Sequence, residues 1–257
     1  MTPDPQSEFA RIVAAGGRGA VATVVGPEES EALGLKLLIR DDGRTEGSID
    51  ADADLEIAAL GAEQMWLERS ELHDLGGLEV FVDVTHPAPR LLILGAVDYA
   101  AALCKLARTC GWRPYICDPR SAFATEERFP EAERIVVGWP DAAFGELGID
   151  RATYIAILTH DPKLDDAALQ IALRSEAAYV GAMGSRRAQE ARNERLVEAG
   201  MSAAEIARMA APIGLDLGAT SPEETALSIM AQAVAVRNGR RGGPLAEVTG
   251  RIHEIGS

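Results

Sequence analysis

The sequence predicts an α/β fold: a Rossmann-like doubly wound parallel sheet with a smaller N-terminal α+β domain. Three observations lead there. Beyond residue 89, short apolar segments with little polar alternation are separated by helix-length stretches, which is the pattern of parallel strands covered on both faces. His86-Pro87-Ala88-Pro89 breaks the preceding pattern and reads as an inter-domain linker. The charge is also uneven, since residues 1–88 hold 6 basic and 18 acidic side chains, a net of −12 within a total of −15. The expected division is a small acidic α+β domain over 1–88 and a Rossmann-like domain over 89–257.

In the front part, 7–15 is a helix candidate closed by Gly16-Gly17. Strands are expected at 20–25 and 35–40, with Asp42-Gly43 as a hairpin-type turn signal. Over 54–69, Leu55, Ile57, Ala58, Ala59, Ala62, Met65 and Trp66 recur at helical spacing, and 78–84 alternates as a strand. In the back part, strands are expected at 91–95, 114–117, 134–137, 154–158 and 178–181. Helices at 99–110 and 165–173 fall between them, and helices at 202–209 and 222–236 close the chain.

Composition removes several function classes. A chain of 257 residues that is 47% hydrophobic and 25% charged can bury a core, so global disorder is excluded. The net charge of −15 argues against nucleic acid as a partner, because phosphate neutralisation needs a basic face. No apolar run approaches the roughly 18 residues of a membrane span. Residues 1–10 lack a basic patch followed by an apolar stretch, so the expected location is cytoplasmic, with no membrane partner. Cys104, Cys110 and Cys117 have no C-x-x-C spacing. They read as buried, inert thiols, with a redox or sulfur-handling role as the alternative.

Four stretches could carry chemistry. The first strand-to-helix turn is Gly95-Ala96-Val97-Asp98-Tyr99-Ala100, where a dinucleotide fingerprint places three small residues. Gly95 and Ala100 fill the first and third roles, whereas branched Val97 should crowd a pyrophosphate at the second. Asp118 stands 23 residues after Gly95, at the end of the second strand, where a carboxylate would accept a bond from a ribose hydroxyl. Thr159, His160 and Lys163 follow the fourth strand, on the sheet edge where ligands sit. Asp161-Pro162 reads as a helix cap.

The fifth strand ends in Gly181-Ala182-Met183-Gly184-Ser185-Arg186-Arg187, a glycine turn opening a helix and hence a site for an anion. Arg192 and Arg195 further along read as a solvated helix face with i,i+4 ion pairs such as Arg186 to Glu190. Gly214 and Gly218 flank Asp216 in a loop expected to hold that carboxylate near other backbone. Ser221-Pro222-Glu223-Glu224 and Ser202 with Glu205 are capping boxes.

Taken jointly, these segments resemble the XdhC/CoxI family, the accessory proteins of xanthine and carbon monoxide dehydrogenases. The carrying residues are Leu94-Gly95-Ala96 with Asp98, Cys117-Asp118-Pro119-Arg120, Phe123-Ala124-Thr125, Phe129-Pro130, residues 158–163, residues 179–186, and residues 212–218 with Pro222-Glu223-Glu224. Val97 replaces the family's usual glycine. In the front part, Gly47-Ser48 continues into Ile49-Asp50-Ala51-Asp52 rather than the family's Gly-Gly-Cys. The resemblance implies a cofactor-binding chaperone more than a turnover enzyme, one that binds molybdenum cofactor (molybdopterin) and delivers it to an apo molybdenum hydroxylase. It further implies a cysteine desulfurase as a second partner and a homodimer as the assembly.

The implied cofactor-binding positions are Gly95, Ala96, Val97, Asp98, Asp118, Arg120, Thr159, His160, Gly181, Gly184, Ser185, Arg186, Asp216 and Glu224. No nucleophile–base set and no metal cluster is evident. Two alternatives stay open: an NAD(P)-dependent oxidoreductase using the Rossmann-like domain, and a structural assembly factor with a vestigial nucleotide fold.

Overall fold

A computed structural model describes residues 4–247, which divide into two compact units, 4–88 and 89–247. In the first, α1 (Pro5–Ala14) starts at Asp4, whose carboxylate accepts the Ser7 N–H at 3.1 Å, with Pro5 at the first helical position. Strands β1 (Gly19–Gly26), β2 (Lys36–Arg40) and β3 (Thr45–Gly47) follow. The turn between β2 and β3 closes at Gly43, which has φ +81° and donates its N–H to the Arg40 carbonyl at 3.0 Å. Helix α2 (Asp54–Leu67) leads to the hairpin β4 (Glu71–Leu75) and β5 (Leu78–Val84).

The five strands form an antiparallel sheet in the order β3-β2-β1-β5-β4. Its period-2 alternation sends Ala20, Ala22, Val24, Val80 and Val82 to a core shared with Ile57 and Met65 of α2. Val21 and Leu38 point the other way, onto Phe9 of α1. Strands β3 and β4 are additions to the expected set: β3 has three residues, too few to show a period, and β4 alternates between half-buried and exposed positions without a fully buried face.

The second unit alternates strand and helix. Its elements are β6 (Arg90–Leu94), α3 (Asp98–Thr109), β7 (Arg113–Cys117), β8 (Arg134–Val136), α4 (Pro140–Leu147), β9 (Thr153–Ile157), α5 (Pro162–Arg174), β10 (Tyr179–Ala182), α6 (Arg186–Glu198), α7 (Ala203–Ala207), β11 (Met209–Ala210) and α8 (Pro222–Arg237). All six strands are parallel, in the order β11-β10-β9-β6-β7-β8. Read from the β8 edge and numbered from the first strand of the unit, that is 3-2-1-4-5-6, the Rossmann order, with its switch point between β6 and β9.

Both faces are apolar, as the unalternated strands predict. Leu91 and Ile93 face α3 and α8, in a core with Leu103, Ile229 and Met230. Leu92, Leu94, Ile155 and Ile157 face the other layer, with Phe144, Leu169, Leu173 and Leu196 from α4, α5 and α6.

One expected element is corrected. The helix placed at 202–209 ends at Ala207, and Met209-Ala210 instead adds a sixth strand beside Val180-Gly181. Arg208 is the last residue before the strand, and its guanidinium donates to the carbonyls of Ser175 and Ala177, each at 2.8 Å, which ties this segment to the loop before β10. No described helix is long and apolar enough to cross a membrane.

Candidate functional site

The parallel sheet brings the loops after β6, β7, β9 and β10 to its carboxyl edge, where open α/β sheets hold ligands. Contacts between loops then join them in a chain. Gly95 has φ +107°, and a Cβ there would stand 2.8 Å from Thr159 Cγ2 and 3.1 Å from its backbone nitrogen. Only glycine lets the β6 and β9 loops meet this closely.

The turn departs from the dinucleotide pattern at Ala96 more than at Val97. Val97 is half-buried and packs against the core under α3, so its side chain does not stand free in the turn. The Ala96 N–H is donated to Asp118 Oδ2 at 2.7 Å. Asp118 is fully buried and also accepts the Arg120 N–H at 2.8 Å, Nε at 2.9 Å and Nη2 at 2.8 Å. Burial pushes this carboxyl up, but Arg120 and the two backbone N–H groups outweigh it and hold it below the usual range. The expected ribose acceptor is therefore an internal tie, with both oxygens engaged. A sugar hydroxyl would have to displace Arg120 to reach it.

Beyond the switch point, the buried Thr159 hydroxyl donates to Asp165 Oδ1. His160 is exposed, and Asp161 caps α5 by accepting the Lys163 N–H at 3.0 Å, as expected of an Asp-Pro pair. Asp165 continues the chain, because Arg192 Nη2 lies 3.1 Å from its Oδ2 and 2.7 Å from the Met183 carbonyl oxygen. Arg192 Nη1 donates to Gln189 Oε1 at 2.8 Å.

These contacts correct the reading of α6 as a solvated arginine helix. Arg192 is only 4% exposed, and Arg195 reaches across to Asp166 on α5 at 3.0 Å. Arg186, by contrast, forms no ion pair with Glu190 or with any other described residue.

At the start of α6, Ser185 Oγ accepts the Ala188 N–H at 3.2 Å, and Gly184 has φ +148°. A Cβ on Gly184 would meet the Arg192 guanidinium at 3.5 Å, so the buried arginine supports the turn from below. The N–H groups of Ser185, Arg186 and Arg187 have no acceptor among the described residues, and the first turn holds two exposed arginines and no acid. Unpaired N–H donors, a helix N-terminus and cationic side chains together suit an anion.

Other candidates have structural duties. Gly181 is buried within β10, where a Cβ would lie 2.5 Å from Ile213, so its need for glycine comes from packing. Gly214, with φ +103°, fits against Ser228 of α8 and donates its N–H to Gln232 Oε1 at 2.8 Å. That contact, rather than Asp216, orders the loop, and the Asp216 side chain makes no hydrogen bond to another described residue. The Glu224 carboxylate accepts the Thr220 N–H at 2.9 Å and the Ser221 N–H at 3.2 Å, completing the capping box.

Asp165 and Arg192 escaped sequence reasoning, although a signal existed. Asp165 falls on the apolar stripe of α5 with Leu164, Ala168, Leu169 and Ala172. An acid on a buried stripe calls for a buried cation.

Six parallel strands in this order, with a glycine turn at the first crossover and a strand-end cluster of loops, define a Rossmann-type domain. The chain belongs to the XdhC Rossmann domain family, whose model matches residues 91–233. The family resemblance carried by the motifs is thus shown.

Three curated relatives are similar over the same part. A probable xanthine dehydrogenase subunit of Bacillus subtilis (strain 168) is 27% identical over 158 residues, 62% of this chain and 46% of its own length. The molybdenum cofactor insertion chaperone PaoD of Escherichia coli (strain K12) is 30% identical over 164 residues, 64% of this chain and 44% of its own. The uncharacterized protein YqeB of Escherichia coli (strain K12) is 30% identical over 169 residues, 65% of this chain and 31% of its own. The chain thus spans less than half the length of these relatives. The fold is also that of a xanthine dehydrogenase crystal structure from Bacillus halodurans, with a TM-score of 0.65 over 91% of this chain and 66% of that one, at 23% identity.

Proposed function

We propose that this protein is a maturation factor that binds molybdenum cofactor as cargo and delivers it to a molybdenum hydroxylase of the xanthine or carbon monoxide dehydrogenase type. The turn after β10 carries the reading: open N–H groups at Ser185, Arg186 and Arg187, with two unpaired arginines, in a chain of net charge −15. Molybdopterin is anionic, and this is where the structure offers an anion its donors. The names of the Bacillus subtilis and PaoD relatives support the class.

In this reading Arg186 and the α6 N-terminus bind the anionic end of the cargo. The network of Thr159, Asp165 and Arg192 keeps the turn in shape between loading and release. Residues 89–257 serve as the cofactor-binding domain and 1–88 as a separate acidic domain. The apo-hydroxylase is the recipient, a cysteine desulfurase the partner for sulfuration, and a homodimer the assembly, all in the cytoplasm. The NAD(P) reading finds no support in the geometry, because its carboxylate is already bonded to Ala96 and Arg120.

Parallel fluorescence titrations of the intact protein with molybdopterin and with NADH test the choice. Saturable binding of molybdopterin, with NADH at least about a hundredfold weaker, is expected, a gap of about 2.8 kcal/mol. The reverse order, or no binding of molybdopterin, would contradict the proposal.

A further inference from the structure

We propose that the outer face of α2 docks an amphipathic helix of another protein, one whose apolar stripe is flanked by lysine or arginine. This goes beyond the cofactor reading and does not depend on it.

Helix α2 is apolar on two sides. Its inner side buries Ile57, Gly61 and Met65 toward the antiparallel sheet. Gly61 lets the helix settle closely, since a Cβ there would stand 2.8 Å from Ile39 Cδ1. The side opposite Ile57 presents Leu55, Ala59, Ala62 and Trp66, spaced i, i+4, i+7 and i+11. That alternation of four and three residues is the seam of a coiled coil.

The seam is open where the sheet does not reach. Leu55 is 82% exposed and Ala59 is exposed, while Ala62 and Trp66 are half-buried. The Arg18 guanidinium lies over the Trp66 ring, 4.7 Å from its centroid. A helix apolar on both sides is built to be covered on both, and the sheet covers one.

The flank of the seam selects its occupant. Glu56 and Glu63 each stand one residue after a seam position, so both lie along the same flank. Both are exposed, and neither forms an ion pair among the described residues. A second copy of α2 laid antiparallel would set Glu56 of one chain against Glu63 of the other, like charge on like charge. Residues 1–88 carry a net charge of −12, so two such units also repel at longer range. A basic helix meets neither obstacle, and its cations gain Glu56 and Glu63 as countercharges. The alanines at 59 and 62 leave room for large apolar side chains on the incoming helix.

Fluorescence anisotropy on the intact protein tests this with a labelled peptide of about three heptads, leucine on its seam and lysine on both flanks. A twin with glutamate on the flanks is the control. No molybdenum cofactor enters, so the outcome is independent of the function proposed above. The lysine peptide should saturate, and the glutamate peptide should bind at least about tenfold more weakly.

Leu55→Gln should weaken the lysine peptide by about tenfold through lost apolar burial. Ala59→Arg, with bulk and charge on the seam, should abolish saturable binding. Both positions are exposed, so the thermal unfolding midpoint should stay put. Glu56→Lys with Glu63→Lys should pass the preference to the glutamate peptide. Glu126→Lys with Glu127→Lys, exposed in the second unit, changes the net charge equally and should leave the preference as it was.

The proposal is overturned if the lysine peptide does not saturate, if Leu55→Gln binds it unchanged, or if both double reversals act alike. It is also overturned if light scattering shows the protein alone falling to a smaller assembly in Leu55→Gln, since a second copy would then own the seam.

Discussion

Replacing Arg192 by alanine should destabilise the second unit by about 3–5 kcal/mol, because it leaves the buried Asp165 carboxylate without its cation. Both side chains are only 5% exposed, so water cannot take over the role. The Met183 carbonyl and Gln189 would lose their donors at the same time. Lysine should not rescue the variant, since a single ammonium cannot span Asp165, Met183 and Gln189 as the fork does.

Burial already holds the Asp165 carboxyl above its ordinary range, with Thr159 and Arg192 opposing the rise. A carboxyl whose folded pKa is raised takes up a proton more readily when folded, so its protonated form favours folding and that contribution fades as pH rises. Without Arg192 the rise should be larger, and the stability deficit should therefore narrow as pH falls. Urea unfolding at two pH values measures this. A stability within about 0.5 kcal/mol of wild type at neutral pH would place Arg192 among ordinary surface residues.

Arg186→Ala should behave in the opposite way, leaving stability unchanged and weakening molybdopterin binding by about one to two powers of ten, the weight of a charge-assisted hydrogen bond. Arg186 is exposed at the first position of α6 and holds nothing else in place. Arg174 is the control, lying at the far end of α5 and paired with Glu205 at 3.2 Å. Equal loss in both variants would mean diffuse attraction rather than a built site. Loss only at Arg186 is expected.

These two arginines show where sequence reasoning reached and where it stopped. The parallel sheet was legible because Leu91 to Leu94 and Ile155 to Ile157 are apolar on both faces, a pattern that only a doubly covered strand tolerates. The glycine turn, the cap at Asp161 and the capping boxes were legible because each is local. β11 was not, since two residues cannot display a period and the Arg208 contacts that tie this segment to the loop before β10 are distant in the chain. α4 is eight residues long with Gly145 inside it and gave no clear stripe.

Asp118 was placed correctly at its strand end, yet its duty depends on Arg120 folding back two residues later and on an N–H from another loop. Arg192 looked like one more arginine on a polar helix. Its burial follows from Asp165, which is 27 residues away in the chain. Both gaps concern pairings across loops, which spacing along the sequence does not encode.

Delivery of cofactor can be read in the recipient hydroxylase itself, as its molybdenum cofactor content when purified from a strain lacking this protein. Normal amounts of hydroxylase polypeptide with poor cofactor loading are expected, restored by the wild-type gene and not by Arg186→Ala. A fully loaded, active hydroxylase from that strain would contradict a role in delivery.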